Sequence, residues 1–316
     1  MIDRIRALEA RGHTKRIGIG LAAVTALVSG VSVFVNASAV RAFGDPVLFT
    51  TLKNGVAAIV LVAMAAAVVD RAPMRIRRLD PRSLAGLVLL GAIGGSIPFV
   101  LFFTGLANAS APAAALIHKT LFLWVALLAV VLLRERLGAL QIGALGVLVV
   151  AQLLILPADG LALTSGEWMI AAATGMWAVE VVVAKRLLGR VPSPIAGAAR
   201  LGIGLILLLA YVAVTGGLTG IGALGLEQWA WVIVTGGLLS AYVATWYAAL
   251  RRAPASAVTA VLTLGAPITA ALQLAANGQI PSPTAVAGYG GVVAAGVVIA
   301  WLTLRPAPAT AGELRA

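Results

Sequence analysis

The sequence predicts an all-α integral membrane protein of ten transmembrane helices, built as two inverted five-helix repeats. Three observations predict it. The chain is 61% hydrophobic and only 11% charged, where a soluble domain carries roughly 25% charged residues. Its apolar residues fall into runs of about 20, the length that crosses a bilayer core as a helix. The Lys and Arg at or beyond the ends of these runs, Arg41 excepted, all fall on the side of the N-terminus. That bias places the basic loops and both termini in the cytoplasm.

The runs are taken in order. A basic tail, 1–16, precedes span 1 (17–40). With Ala37-Ser38-Ala39 at its end, span 1 could be a cleaved leader, but its apolar stretch is longer than the usual 7–15 residues, so it reads as a retained span. Span 2 (46–69) carries Lys53 near its start, and span 3 (83–107) holds Pro98 and the small pair Gly91 and Gly95. Span 4 (111–133) opens on Ala111-Pro112-Ala113, contains His118, Lys119 and Trp124, and ends in Arg134-Glu135-Arg136-Leu137. Span 5 (138–156) begins around Gln141-Ile142-Gly143, and an outer linker covers 157–166. Span 6 (167–187) carries Trp177 and Glu180, span 7 (194–214) carries Arg200, and span 8 (228–250) carries Tyr242 and Trp246. Span 9 (254–275) follows Ala253-Pro254-Ala255 and contains Pro267; span 10 (284–304) leads into a tail, 305–316. Lipid leaves no water for unpaired backbone groups, so every run should be helical.

Composition excludes several chemistries. With no cysteine there is no disulfide or thiolate metal site, and two histidines, His13 and His118, cannot build a histidine cage. No cofactor or metal is expected. The net charge of +12 sits between the apolar runs, as topology requires, and does not indicate nucleic acid. The expected partners are a small-molecule solute and the lipid bilayer, with the chain a monomer or homodimer.

The halves resemble each other. An offset of 142 places Pro112 on Pro254 and Glu135 on Asn277; an offset of 147 places Lys53 on Arg200 and Gly55 on Gly202. Five spans per half is an odd number, so the second half must run inverted, and inverted repeats are a transporter signature. The first repeat is 17–156 and the second 167–304.

The Arg134-Glu135-Arg136-Leu137 turn, Gln141-Ile142-Gly143, Pro112 and the early basic residues of spans 2 and 7 resemble the EamA-type members of the drug/metabolite transporter superfamily, over about 17–304. Asn277 departs from the pattern, standing where a second Glu is common. The resemblance implies two five-helix halves around a central cavity. It also implies secondary transport, usually export, of small metabolites by a multi-pass protein of the plasma (inner) membrane, and no enzymatic activity.

Charges inside a span are costly and deserve individual weighing. Lys53 and Arg200 lie near enough to an interface to snorkel, and their duplication suggests an architectural role. Lys119 breaks the repeat symmetry: it either snorkels or meets an anionic solute group. Glu180 can pair with Arg200 or Lys185; it is also a candidate proton carrier, which would add a coupled proton as partner. His118 is a second proton candidate. Glu135 reads as structural, meeting the positive end of the span 5 helix. Trp168, Trp229, Trp231 and Trp301 read as belt anchors, whereas Trp124, Trp177 and Trp246 lie deeper and, with Tyr242 on the face of Trp246, are candidate cavity residues. The expected solute-binding set is thus Lys119, His118, Trp124, Trp177, Glu180, Tyr242 and Trp246.

Three cations against one anion within the spans favour amino acids or other carboxylate-bearing solutes over a lipophilic cation, since span 1 carries no acid. Two alternatives stay open: a multidrug or lipophilic-cation exporter, and an integral membrane lipid-processing enzyme.

Overall fold

The structure, a computed structural model, describes residues 2–71, 79–106, 108–109, 111–156, 164–278 and 280–305. Among them nine helices are long and apolar enough to cross a membrane, and a tenth, Ala139–Ile155, is 17 residues long. These ten helical units follow the ten apolar runs. The chain is a multi-pass membrane protein. Of the basic loop residues, Arg75, Arg77 and Arg78 lie outside the described residues, as do most of the linker and the tail from 306. Span 6 starts two residues before the expected boundary, at Ser165, because Thr164 caps it: Thr164 Oγ1 accepts from the Gly166 amide at 3.3 Å, and the Thr164 amide donates to Glu167 Oε2 at 3.0 Å.

Three spans are broken. Span 3 is Pro81–Gly95 then Ile97–Leu106; span 4 is Ala111–Lys119 then Leu121–Leu133; span 9 is Ala255–Leu262 then Gly265–Asn277. In spans 3 and 9 the break falls just before Pro98 and Pro267, so each proline occupies the first turn of a new helix, where its missing N–H costs nothing. Span 4 breaks without a proline. There the Thr120 hydroxyl donates to the Ile117 carbonyl at 2.6 Å, as the Thr263 hydroxyl does to Ala260 in span 9, also at 2.6 Å. The segments after the two breaks correspond at an offset of 144 (265 − 121 and 277 − 133). Each ends in a left-handed residue, Arg134 at φ 56° and Gly278 at φ 65°. The offset of 142 therefore drifts by two at the break. At the offset of 144 Glu135 falls on position 279, outside the described residues, rather than on Asn277.

The packing follows one rule. Taking the principal neighbours in turn, the spans form a closed circuit, 4-6-3-7-2-8-1-9 and back to 4, with spans 5 and 10 paired against each other outside it. Exchanging span n for span n + 5 leaves this pattern unchanged: 1 with 8 becomes 6 with 3, and 2 with 7, 4 with 9 and 5 with 10 map onto themselves. Small residues set the closest approaches. A Cβ on Gly95 would lie 2.0 Å from the Arg200 carbonyl oxygen, so spans 3 and 7 meet backbone to backbone, which only glycine permits.

Candidate functional site

Glu180, about two turns before the end of span 6, is 2% exposed, and its charge is met inside the protein. The Tyr247 hydroxyl of span 8 donates to Glu180 Oε1, and Arg200 Nε of span 7 lies 3.7 Å from the same oxygen. The Arg200 guanidinium also sits 6.0 Å from the centroid of the Tyr247 ring. Gly94 of span 3 presses on the pair: a Cβ there would lie 2.6 Å from Glu180 Cγ and 3.0 Å from Arg200 Nε. Of the two partners foreseen for Glu180, Arg200 is the one it meets. Arg200 is 7% exposed and Lys53 9%, so both turn into the bundle and neither snorkels.

Spans 6 and 8 are not principal neighbours in the circuit, so the Glu180–Tyr247 hydrogen bond reaches across it. Lys185 of span 6 makes a second crossing, donating to the Leu250 carbonyl at 2.5 Å and the Ala253 carbonyl at 2.6 Å at the end of span 8. Arg186 donates to the Leu132 carbonyl of span 4 at 2.6 Å. These cations satisfy helix-end carbonyls and lie at the negative end of each helix dipole. At the same end Glu135 corrects an expectation: it caps span 9, not span 5. Its Oε1 accepts from the Ala255 amide at 2.6 Å, and its Oε2 accepts from the Ser256 amide at 3.2 Å and the Ser256 hydroxyl at 2.6 Å. The reason is local: Arg134, in the left-handed conformation, turns the chain so that Glu135 meets the span packed beside span 4. The span 5 helix is capped by its own Gln141, whose Oε1 accepts from the Gly138 amide at 3.0 Å. A shallow open indentation beside this junction is lined by Leu137, Gln141, Leu145, Ser256, Ala257 and Ile299, and holds none of the expected site residues.

The aromatic candidates separate into two groups and an outlier. His118 and Trp177 come together, with ring centroids 5.1 Å apart, and Phe102 and Phe99 of span 3 complete the group at 5.7 and 5.3 Å from Trp177. The Trp177 indole donates to the Gly94 carbonyl at 3.3 Å, which joins this group to the glycine beneath Glu180. His118 Nδ1 is buried without a hydrogen-bond partner. Tyr242 and Trp246 stack at 6.0 Å, Trp246 immediately preceding Tyr247 in the chain, and next to them Thr25 of span 1 bonds Thr245 at 2.9 Å. Trp124 stands apart: it is 49% exposed, on one stripe with Leu123, Leu127, Val130 and Val131, and its indole bonds only Thr120, at 3.2 Å. Its place is the exposed apolar face of span 4, away from Trp177. Lys119 is half-buried at the break of span 4 and makes no hydrogen bond or ion pair among the described residues.

Two features escaped the sequence reading. Phe99 and Phe102 were passed over because apolar aromatics in an apolar span carry no signal. Tyr247 was passed over because its partner is fixed only by packing. Among the described residues no three His, Asp or Glu side chains gather as a metal site would require.

Spans packed in such a circuit, with charged side chains buried among them, define a multi-pass membrane protein. The family comparison agrees: the model of the EamA-like transporter family matches residues 16–156 and 164–301, one match per half, and the chain belongs to that family. No curated protein matches the sequence. A solved crystal structure superposes with a TM-score of 0.71 over 89% of this chain and 97% of its own, at 18% identity, a likeness of fold alone.

Proposed function

We propose that the chain is a secondary transporter of small carboxylate-bearing metabolites, amino acids among them, and that it works by alternating access between two inverted repeats. One observation carries the solute class. With Glu180 held by Arg200, Lys53 and Lys119 are cations within the spans that have no counter-charge among the described residues. A buried charge demands a partner, and an anionic solute supplies it. A lipophilic cation would meet the opposite of what it needs.

The exchange symmetry of the packing supports the inverted repeat, since two halves of five spans can be related by a two-fold rotation only if one is turned over in the membrane. The crossings at Glu180–Tyr247 and Lys185 tie the bundle shut at the end where spans 6 and 8 finish. On the basic-loop argument that end is cytoplasmic, both termini lie there, and the membrane is the plasma (inner) membrane. The shut end leaves His118, Trp177, Tyr242 and Trp246 on its far side, as the walls of a solute path with Lys119 as a charged contact. Breaking the Glu180 crossing is then a step in exposing that path to the cytoplasm, with a coupled proton kept as a candidate partner of the cycle. Export is the expected direction.

The test is counterflow in proteoliposomes loaded in turn with amino acids, dicarboxylic acids, nucleosides and lipophilic cations. Labelled carboxylates should accumulate against their unlabelled counterparts. Counterflow of lipophilic cations alone would overturn the solute class and favour the multidrug alternative. Turnover of a lipid by the purified protein would favour the enzyme.

A further inference from the structure

The ion pair of the second half has a counterpart in the first, and the counterpart lacks its negative charge. Arg200 corresponds to Lys53 at the offset of 147. Its partner Glu180 corresponds to Asn36 at the offset of 144, and Gly95 to Gly236 at 141. The geometry repeats as well as the spacing. Lys53 Nζ of span 2 donates to Asn36 Oδ1 of span 1 at 3.3 Å, as Arg200 of span 7 faces Glu180 of span 6. A Cβ on Gly236 of span 8 would lie 3.0 Å from the Lys53 carbonyl oxygen, as one on Gly95 of span 3 would meet that of Arg200.

The difference is chemical. Asn36 is neutral and already donates both to the Ser32 carbonyl at 2.6 Å and to the Ser32 hydroxyl at 2.9 Å. Lys53 has no ion pair among the described residues; beyond Asn36 its ammonium has only the Phe49 ring, 5.1 Å away. Thr50, Lys53 and Asn54 stand at i, i + 3 and i + 4 of one helix, the spacing of a single broad face. Thr50 and Asn54 are 1% and 0% exposed, and Thr50 Oγ1, Asn54 Nδ2 and Asn54 Oδ1 have no hydrogen-bond partner among the described residues. Buried polar groups without partners call for an unfilled acceptor or donor. Water would satisfy Thr50 and Asn54 but leave the lysine charge unmet. A carboxylate would meet all three groups, since its two oxygens accept from an ammonium, a hydroxyl and an amide together.

We propose that Lys53, Thr50 and Asn54 form a carboxylate-recognition site in the first repeat, occupying the place that Glu180 fills from within in the second. The proposal rests on the transporter reading above and says where the solute's negative charge is held.

The experiment uses the full chain in detergent, with succinate and L-glutamate as probes against sodium chloride at equal ionic strength. A ligand bound only by the native state raises the melting temperature. A carboxylate probe should raise it in the wild type and in Lys53→Arg, but not in Lys53→Gln. Asn36→Asp should melt higher than the wild type without ligand and lose the probe response, because it supplies the missing carboxylate from span 1. The counterflow KM for a carboxylate should rise at least tenfold in Lys53→Gln and Asn36→Asp. The site is overturned if both variants keep the wild-type response and KM, or if chloride stabilises as well as succinate. Carboxylate counterflow with unchanged KM in both variants would sink this site and leave the transporter reading intact. Counterflow of cations alone would sink the solute class with it.

Discussion

Glu135, at the end of span 4, caps the helix that begins at Ala255, 120 residues further along the chain. Its two oxygens take the first two amides of span 9 and the Ser256 hydroxyl, so one carboxylate ties the end of a helix in the first half to the start of one in the second. Replacing it with Ala leaves those amides to find other partners and should destabilise the protein by about 1–2 kcal/mol, the usual worth of a cap. Glu135→Gln, which keeps an acceptor but not the charge, should lose less. Thermal unfolding in detergent checks both, and equal melting of all three proteins would deny the cap its role.

The Glu180–Arg200 pair should behave as a unit. Removing one partner of a buried pair strands the other, at a cost of about 3–5 kcal/mol. Glu180→Gln and Arg200→Gln should each unfold well below the wild type, while the double substitution should lose much less than their sum. A double-mutant cycle on melting temperature reads this non-additivity. Additive losses would mean the two charges are compensated elsewhere.

Gly95 and Gly175 offer a matched contrast. A methyl group on Gly95 would lie 2.0 Å from a backbone oxygen of span 7, whereas one on Gly175 meets nothing within 4 Å. Gly95→Ala should abolish or severely reduce the folded yield. Gly175→Ala should be neutral or gain up to about 1 kcal/mol from helix propensity. Comparable folded yields from the two variants, measured by size-exclusion profile, would contradict the close packing of spans 3 and 7.

Asp80, outside the membrane at the start of span 3, gives a pH prediction. The Ser83 hydroxyl bonds its Oδ1 at 2.5 Å and Arg190 lies 3.6 Å from its Oδ2, and together these hold its carboxyl below the ordinary value of 3.8, the Ser83 bond contributing most. A depressed folded pKa contributes stability above the unfolded value, and that stability is lost as the pH falls through the folded one. Asp80→Asn should therefore melt slightly lower than the wild type at neutral pH, with the gap closing below about pH 4. A gap that widens on acidification would reverse the assignment.

The spans were legible because lipid imposes one requirement, about 20 apolar residues per helix, on every stretch of chain. The breaks in spans 3 and 9 were half legible through Pro98 and Pro267. The break at Thr120 was not, because a threonine hydroxyl bonding back to its own helix is local chemistry that many threonines perform without breaking anything. Pairings were the least legible. Glu135 was read against the helix next in sequence, while its partner is the helix next in space. Asn36, being neutral, carries nothing to mark it in the sequence, although its offset of 144 from Glu180 was there to be found. Trp124 shows the opposite failure: depth along a span does not say which side of the helix a residue occupies.

The interleaved circuit has a consequence for how the protein is made. Spans 1, 2 and 3 find their main neighbours among spans 6 to 9, and the second half finds its own in the first. A ribosome delivering the first five helices releases a set whose mating surfaces belong to helices not yet synthesised. Those surfaces, with Lys53 and Gly95 among them, must wait in the bilayer or under the care of the insertion machinery until the later helices arrive. Gene fragments encoding the halves should then yield stable protein only when expressed together.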